Sequence, residues 1–440
     1  MFLTIPKLCK VNTLAQYIDS EKSENVNKEA KYFSTFAKKK NTCMRTSIDD
    51  FRELVAQVGE IDEIMIDVEK AEGIYVWDTS GRRYMDMLSG ICVGNIGHRN
   101  PKVVNAVKEQ LDKYMHVMVY GEFIQSPQYR YMKRLKEFLP KSLSQIFYVN
   151  SGSEAIEGAL KAAKLFTQRS EVISCCGSYH GSTIGAVSML SDEIFTRKFR
   201  PLIPDCNKIE YNNFDDIQKI TQRTACLVLE PVAIGQGVRL PKEGWLQAVR
   251  KRCDEVGAVL IFDEIQTGFG RTGKLFAFEN FEGVYPDILC IAKGMGGGMP
   301  IGAFIGRNDI MMSLNNHHPL IGHASTFGGH PVSCIAALAT LDCIVEENLM
   351  DKVESKGKRY RQELKHPLIK EVRGIGLFNC IDIDQRLDWT EVLKACFAEG
   401  LITGTHLFNT HCLSLKPALI ISDEQITESI EKFKRALDRL

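Results

Sequence analysis

The sequence predicts an α/β fold in which helices cover a large, mostly parallel sheet and a smaller α/β unit follows. Between residues 146 and 306, short apolar runs alternate with stretches of helical pattern. The runs lack the alternation of polar and apolar residues that marks a half-exposed strand, so they predict strands buried on both faces. The pattern changes after about residue 330. The predicted strands are Ile146–Val149, Val172–Ser174, Cys226–Leu229, Ala258–Phe262, Ile288–Ile291 and Ala303–Ile305.

The regions on either side of this sheet predict how the rest of the chain is organised. Gly73–Asp78 and Tyr84–Asp86 are separated by a short turn and predict two strands. Asn100-Pro101 predicts the start of a helix, and a long helical stretch, Pro331–Glu346, leads into a second α/β unit. We therefore divide the chain into an N-terminal extension (1–45), a segment that joins the small domain (46–95), a large domain (96–330) and a C-terminal small domain (331–440).

The composition excludes several classes of protein. The 440 residues include 55 Lys+Arg and 55 Asp+Glu, so the formal charge is zero and no long-range field would attract a nucleic acid. A hydrophobic fraction of 44% suffices for a large core and excludes general disorder. No apolar run reaches the roughly 18–20 residues that cross a bilayer. The N-terminus lacks the pattern of a secretory signal, and we expect a cytoplasmic protein without a membrane partner.

The fourteen cysteines do not predict a disulfide framework. They are scattered, they form no C-x-x-C pair, and the one close pair is Cys175-Cys176. We expect reduced thiols, which fits a cytoplasmic location. The nearest histidine group, His317, His318 and His323, has no cysteine nearby, so no metal site is expected.

In such sheets, functional groups lie just past the carboxyl ends of strands. One of these ends, after Val149, opens into the small, hydroxyl-rich turn Asn150–Ala155 and then a helical stretch. Free backbone N–H groups at the start of a helix can bind a phosphate. An ordinary helix cap by Ser151 or Ser153, with Glu154 completing a capping box, explains the same residues without a ligand. The sequence leaves both interpretations open.

Two further strand ends carry ionisable side chains. Asp263 follows the run Ala258–Phe262, and a buried carboxylate at a strand end requires a cationic partner. Lys293 lies two residues after Ile288–Ile291. Partial burial disfavours the ammonium form of a lysine, and a neutral amine is a nucleophile that forms imines with carbonyl compounds. A structural ion pair between Lys293 and Asp263 is the alternative.

The glycine-rich stretch Gly268–Gly273 resembles two nucleotide-binding motifs. It matches G-x-G-x-x-G, and through Lys274 it matches the first seven positions of a Walker A motif. However, the following residues do not predict a helix, and Leu275 stands where a serine or threonine would bind magnesium. We therefore predict a glycine-rich loop that contains Arg271 and binds no nucleotide.

Together, these strand ends carry a specific motif. Its three parts are Leu260–Gly273, Pro286–Ile288 and Ala292–Gly294. The sequence resembles the class III, pyridoxal-phosphate-dependent aminotransferases of fold type I, and it is nearest to the ornithine/acetylornithine branch. The resemblance covers roughly residues 60–435. It implies a pyridoxal 5′-phosphate cofactor, an obligate homodimer, and ping-pong transfer of an amino group from an amino acid or ω-amine donor to a keto acid.

The resemblance implies a role for individual positions. Lys293 would bind the cofactor covalently and shuttle a proton, and Asp263 would pair with the pyridine nitrogen. The other implied contacts are Gly152 and Ser153 at the phosphate, Ile265 and Tyr179 on the two ring faces, Gln266 at the phenolic oxygen, Glu230 near the cofactor, and Thr326 at the phosphate of the neighbouring subunit. The role of Thr326 implies two shared sites in the dimer.

Three positions depart from the ornithine-like pattern. In that branch, a glutamate after the Glu230-Pro231 pair forms an ion pair with a C-terminal arginine, which captures a substrate carboxylate. Gly235 and Ser414 occupy those two positions in this chain, and Ser182 replaces a further arginine. The loss of both ion-pair partners together predicts a changed specificity, with inefficient use of the usual glutamate/2-oxoglutarate pair.

Two cations remain candidates for binding a carboxylate. Lys416, two positions after Ser414, would lie on the same face of its strand only if that strand is regular. Arg373 is a candidate elsewhere, although it also suits a structural role in an Arg-Gly turn.

The motifs leave two other functions open. An aminomutase or decarboxylase of the same fold would share the cofactor residues, and a non-catalytic relative would keep the fold without binding cofactor. A keto product formed from an added amino donor would exclude the first of these, and a colourless protein would favour the second.

Overall fold

The computed structural model describes residues 48–56, 64–315 and 322–440. The predicted N-terminal extension, residues 1–45, lies outside these ranges, and so do His317 and His318. The chain forms two compact units, residues 1–60 and 61–440. The described part of the first unit contains the helix α1 at Ile48–Leu54. All other strands and helices of the described residues belong to the second unit.

The described residues of the second unit contain fifteen strands in three sheets. The strands are β1 (Val68–Glu72), β2 (Tyr75–Asp78), β3 (Arg83–Asp86), β4 (Gln145–Val149), β5 (Glu171–Cys175), β6 (Cys206–Ile209), β7 (Thr224–Leu229), β8 (Val259–Asp263), β9 (Ile288–Ile291), β10 (Gly302–Gly306), β11 (Ile369–Ile375), β12 (Phe378–Ile383), β13 (Leu401–Ile402), β14 (Thr405–His406) and β15 (Asn409–Leu415). The largest sheet has the order β4-β10-β9-β8-β7-β5-β6. The two four-stranded sheets are β1-β2-β3-β13 and β11-β12-β15-β14.

The large sheet confirms the predicted α/β fold. Its strands run in one direction except β10, which is antiparallel to its neighbours β4 and β9. Each of the six predicted apolar runs is a strand, and β5, β7, β8, β9 and β10 are buried at every position. The edge strand β6 was not predicted because Asn207 and Lys208 interrupt its apolar character.

Helices flank these sheets, and several begin at recognisable sequence signals. The helices of the second unit are α2 (Ser89–Cys92), α3 (Pro101–Leu111), α4 (Ser126–Leu135), α5 (Gly152–Thr167), α6 (Ile184–Ser188), α7 (Glu193–Thr196), α8 (Trp245–Val256), α9 (Asn308–Met312), α10 (Pro331–Glu346), α11 (Val353–Glu363), α12 (Trp389–Ala398) and α13 (Asp423–Leu437). Asn100 caps α3 by accepting a hydrogen bond from Lys102 N at 3.0 Å. Helix α10 has the predicted bounds, and its first residue is a proline, which suits the first helical position.

The smaller sheets bring early and late parts of the chain together. Strand β3 pairs in parallel with β13, with Met85 opposite Leu401. Ile74 and Met85 also pack in one apolar cluster with residues of the C-terminal region, such as Phe433. The N-terminal segment 46–95 was predicted to join the small domain, and the pairing of β3 with β13 is consistent with that. The domain boundaries after residues 95 and 330 stay predictions.

The described residues also bear on membranes, thiols and metals. Within the described ranges, no helix has both the length and the apolar character that crossing a membrane requires. The twelve cysteines in the described part of the chain are free thiols. The same part contains no group of three or more His, Cys, Asp or Glu side chains arranged to hold a metal ion. His323 instead lies with its Nδ1 at 3.1 Å from Lys161 Nζ.

Candidate active site

The predicted functional residues meet in one cavity of about 850 Å³ at the carboxyl ends of β8 and β9. Ligands of open α/β sheets bind at this edge, because the loops that follow neighbouring parallel strands converge there. The predicted residues that line the cavity are Gly152, Ser153, Tyr179, Glu230, Asp263, Ile265, Gln266 and Lys293. Thr326 is absent from the described lining, and its Oγ1 lies 3.1 Å from Tyr120 Oη.

Asp263 is the last residue of β8, and only 5% of its surface is exposed. Its Oδ2 lies 2.8 Å from His180 Nδ1, and its Oδ1 accepts a hydrogen bond from Ile265 N at 3.0 Å. Because an ionised carboxylate only accepts, His180 Nδ1 carries the shared proton. His180 Nε2 is buried and has no hydrogen-bond partner among the described residues. His180 therefore orients Asp263, a role that the sequence analysis did not assign.

Lys293 enters the same cavity two residues beyond the end of β9. Its φ of +47° lies in the left-handed region, which residues other than glycine seldom occupy. Such conformations cost free energy and concentrate at functional sites, where the surrounding structure holds them in place. The structural Lys293–Asp263 pair, which the sequence left open, is not among the ion pairs of the described residues. Asp263 Oδ2 instead lies 2.8 Å from His180 Nδ1.

The turn after β4 contains both features that its sequence suggested, a helix cap and free N–H groups that could bind an anion. Ser151 caps α5, because its Oγ accepts a hydrogen bond from the N–H of the third helical residue at 3.2 Å. Ser153 does not cap the helix, and its Oγ accepts instead from Ser182 N at 3.2 Å. Gly152 and Ser153 line the cavity, at the end of the helix where N–H groups lack intrahelical acceptors. The cap and a site suited to an anion therefore coexist.

Close packing surrounds this helix start. A Cβ added to Gly152 would lie 2.9 Å from the Ile265 side chain, so glycine is the residue that fits at this position. Tyr179 is 38% exposed, and its Oη lies 2.7 Å from Ser182 Oγ. Gln266 accepts a hydrogen bond from Lys416 Nζ at 3.1 Å through its Oε1. The amide nitrogen of Gln266 is thereby left to donate to an acceptor in the cavity.

Glu230 is a buried acid in the cavity wall, with 4% of its surface exposed. Burial, and then the neighbouring negative charge of Asp263, raise the pKa of Glu230 well above its ordinary value. Its Oε2 accepts a hydrogen bond from Ile234 N at 3.3 Å. Glu230 therefore keeps its proton to a higher pH than an exposed glutamate does.

The C-terminal strands contribute a cationic part of the wall. Lys416 is 4% exposed, and its Nζ donates to Ser414 Oγ at 3.4 Å and lies 4.8 Å from the centre of the Phe378 ring. His406 Nε2 lies 3.3 Å from the same serine oxygen. Lys416 follows the end of β15, and it shares the cavity with Ser414. The sequence analysis singled out Ser414 and Lys416 but missed His406, which has no local signal.

The glycine-rich loop Gly268–Gly273 is structural. Arg271 is fully buried and donates hydrogen bonds to Asn95 Oδ1 at 2.8 Å and to the Pro417 carbonyl at 2.5 Å. The buried carboxyl of Glu264 accepts from two backbone N–H groups farther along the loop, and burial raises its pKa to about 7. A short 3₁₀ turn follows rather than an α-helix, as expected for a loop that binds no nucleotide.

Arg373 also serves the structure rather than the cavity. Its Nε donates to the Gly237 carbonyl at 3.0 Å, its Nη1 pairs with Asp382 at 2.8 Å, and its Nη2 lies 3.0 Å from Cys412 Sγ. It is not among the described residues that line the cavity. Of the two candidate cations, only Lys416 lines the cavity.

Comparison with known proteins agrees with this arrangement. The family model described as Aminotransferase class-III matches residues 57–437. The chain belongs to the class III aminotransferases. It is 36% identical over 395 residues to the acetylornithine aminotransferase of Methanopyrus kandleri, a match that covers 88% of this chain and 99% of that protein. The chain is therefore an aminotransferase similar to the enzymes of the ornithine/acetylornithine branch.

Solved structures of other class III aminotransferases share the fold. The ornithine aminotransferase of Toxoplasma gondii superposes with a TM-score of 0.81 at 30% identity, over 88% of this chain and 93% of that one. A PLP-bound amine transaminase from an uncultivated Pseudomonas species superposes with a TM-score of 0.80 at 25% identity, over 88% and 97% of the two chains. The fold is thus that of the fold type I, PLP-dependent transferases.

Class III aminotransferases depend on pyridoxal 5′-phosphate (PLP), and so does this chain. The residues of the cavity fit that cofactor. An aldehyde requires an amine, which Lys293 supplies, and a protonated ring nitrogen requires an acceptor, which the Asp263 carboxylate supplies. A phosphate requires N–H donors, which the start of α5 supplies at Gly152, where an added Cβ would collide with Ile265.

Proposed function

We propose that this aminotransferase moves an amino group from an amino acid or ω-amine donor to a keto acid by a ping-pong mechanism. One observation carries the proposal. Lys293 and Asp263 lie at the ends of the neighbouring parallel strands β9 and β8 and line the same cavity. An amine that can bond to a carbonyl carbon and a buried acid that can hold a protonated ring nitrogen are the two groups that transamination requires.

Each proposed role follows from the position of a side chain. Bound PLP supplies a reactive aldehyde and a ring that accepts electrons. Lys293 Nζ would hold PLP through the aldehyde carbon, with loss of water, and the lysine amine freed by the donor would take the proton from the donor carbon and return it to the cofactor. Asp263 keeps a proton on the ring nitrogen, and His180 holds that carboxylate in place at 2.8 Å.

The remaining residues position the cofactor in this proposal. Gly152 and Ser153 bind the phosphate at the positive end of α5. Ile265 and Tyr179 pack on the two ring faces, and Gln266 donates its amide N–H to the phenolic oxygen. The raised pKa of Glu230 favours its neutral form near the ring, which weakens any competition with Asp263 for the charged nitrogen. These residues orient and enclose the cofactor rather than react.

The ornithine-like branch pairs a glutamate with an arginine at a carboxylate gate, and we propose that this gate is altered. Gly235 and Ser414 both line the cavity. A Cβ on Gly235 would collide with the Gly177 carbonyl and lie 2.6 Å from the Phe408 ring. The backbone therefore leaves no room for a glutamate at residue 235. A glutamate introduced at residue 235 would therefore not restore the gate. This packing supports a changed substrate preference.

The half-reactions test the proposed function. Stoichiometric amino donor without acceptor is expected to convert the bound cofactor to its amine form and release one keto or aldehyde product. A keto acid added afterwards restores the starting absorbance. A panel of ornithine, acetylornithine, lysine, other diamines, glutamate and alanine identifies the donor. Release of CO₂, or a rearranged amine without a carbonyl product, would instead favour a decarboxylase or an aminomutase.

We propose a homodimer in which Thr326 serves the partner's site. Several large apolar side chains within residues 115–129, together with Phe327, are exposed, and we call this set the apolar patch. Its members are Met115, Met118, Tyr120, Phe123, Ile124, Tyr129 and Phe327, and Ile124 is 99% exposed. Patches of this kind mark protein interfaces. Thr326 adjoins the patch through Tyr120 and does not line its own cavity within the described residues. A second copy on this patch would bring Thr326 near the partner's phosphate site.

The Ile124→Glu variant tests the dimer. We expect this charge on the most exposed residue of the patch to shift the protein towards monomer, measured by light scattering during size-exclusion chromatography, and to lower its cofactor content. Ile194→Glu is the matched control, because Ile194 is 67% exposed and lies outside the patch. A dimer that persists in Ile124→Glu at micromolar concentration would contradict this interface.

A further inference from the structure

A buried lysine without a counter-ion lies in the wall of the cavity. Lys416 is 4% exposed, and its hydrogen-bond partners are the neutral oxygens of Gln266 and Ser414. Among the described residues, no carboxylate lies within ion-pair distance of its Nζ. An ammonium group has three N–H donors, and only two are used in this wall. A buried cation that lacks a counter-ion is costly, so the structure is suited to receive an anion at this point.

The other ionisable groups near Lys416 do not neutralise it. Lys293 and Arg271 carry basic side chains, and Cys92 and Cys380 are buried thiols. The pKa of His406 lies well below its ordinary value, because of burial and then the charge of Lys416, so this histidine is neutral. Two acids line the same cavity. Asp263 is held by His180, and burial raises the pKa of Glu230, which favours the uncharged form of that side chain.

The position of Lys416 selects the kind of anion. The cofactor phosphate is assigned to the helix start at Gly152 and Ser153, so the anion at Lys416 belongs to the substrate. Lys293 and Lys416 line the same cavity, so one substrate can reach both amines. Leu88, Ile91 and Leu407 add apolar surface to the lining.

We propose that Lys416, held by Gln266 and Ser414, binds the carboxylate of the amino-acid donor and of the keto-acid acceptor. The inference rests on the proposed function, and it defines the substrate class as amino and keto acids rather than simple amines. A lysine contributes one point charge, whereas an arginine binds a carboxylate through two parallel hydrogen bonds. Lys416 therefore recognises the carboxylate with less geometric selectivity than an arginine at residue 414 would.

The test compares a donor with its decarboxylated form in the holoenzyme. L-Ornithine and putrescine differ only by the carboxylate, whichever amino group reacts. In Lys416→Met, we expect kcat/KM for L-ornithine to fall roughly 10- to 100-fold more than kcat/KM for putrescine, mainly through KM. Lys416→Arg keeps the positive charge and is expected to keep the preference. Equal losses with both donors in Lys416→Met would overturn the proposal and leave Lys416 a structural support for Gln266.

A binding measurement separates this inference from the proposed function. Glutarate, which has no amino group to transfer, is expected to bind the wild-type holoenzyme in calorimetry and to bind Lys416→Met roughly 10- to 100-fold more weakly. Burial lowers the pKa of Lys416 to about 8, so glutarate affinity should fall as pH rises through 8 because the cation is lost. Unchanged affinity in Lys416→Met would refute the carboxylate site. Failure of every donor in the half-reactions would refute the proposed function alone.

Discussion

Replacing Lys293 with alanine is expected to reduce kcat/KM by at least roughly 10⁴-fold, because one amine supplies both the covalent bond and the proton transfer. Lysine and alanine both carry a Cβ, so the unusual φ of +47° is equally costly in the two proteins. The loss is therefore confined to the amine. The variant should also lack the visible absorbance of covalently bound cofactor. The measurements are steady-state kinetics and a spectrum at matched protein concentration.

Borohydride reduction followed by peptide mapping locates the attachment point directly. In the wild type, the pyridoxyl group is expected on the peptide that contains Lys293. Lys274→Ala is the matched control, because Lys274 is an exposed lysine on the glycine-rich loop, and this variant should keep both label and turnover. A label on Lys416, the other lysine that lines the cavity, would transfer the covalent role to that residue. Partial recovery of Lys293→Ala by a small added amine would show that the fold is intact.

The elements of the fold that were predictable are those whose burial shows in the local sequence as a run of apolar residues. Strands buried on both faces are mostly apolar, and β7 and β8 stand out in the sequence because Thr224 and Asp263, each at a strand end, are their only polar residues. At the edge of the sheet, β6 is buried at only one of its four positions, so Asn207 and Lys208 are tolerated and its pattern is weak. The helix α10 was predicted to the residue, since Pro331 marks its start and apolar residues fill its length.

The meeting of most candidate site residues in one cavity was predictable, because their motifs follow neighbouring strands of the large sheet, while their roles toward the cofactor came from the family resemblance and stay predictions. Contacts that depend on distant parts of the chain were not. His180 and Asp263 are 83 residues apart, and neither sequence segment indicates that they pair. Likewise, Lys416 bonds to Gln266 across 150 positions. Strand periodicity could not assign the face of Lys416, because β15 ends one residue before it.

Replacing Asp263 with asparagine is expected to slow amino transfer roughly 10²- to 10⁴-fold. Removing one partner of a buried charge pair costs about 3–5 kcal/mol, and a cost of this size in the activation free energy gives that loss of rate. Asparagine has nearly the shape of aspartate and can still accept the hydrogen bond of Ile265 N. It cannot hold a positive charge on the ring nitrogen. The amide also faces His180 Nδ1, so the histidine must move its proton to Nε2, which is buried without a partner in the described structure.

In Asp263→Asn, the rate of amino transfer should therefore fall while the cofactor content stays unchanged. The covalent bond through Lys293 does not need the Asp263 charge, so the absorbance of bound cofactor should remain while the half-reaction slows. Asp287→Asn is the matched control, because Asp287 is also a buried acid but pairs with Arg250 and Arg307 outside the cavity. That variant is expected to lower Tm and to leave the rate nearly unchanged. If Asp263→Asn behaved like Asp287→Asn, the Asp263 charge would serve folding, and the acid at the ring nitrogen would have to be sought elsewhere.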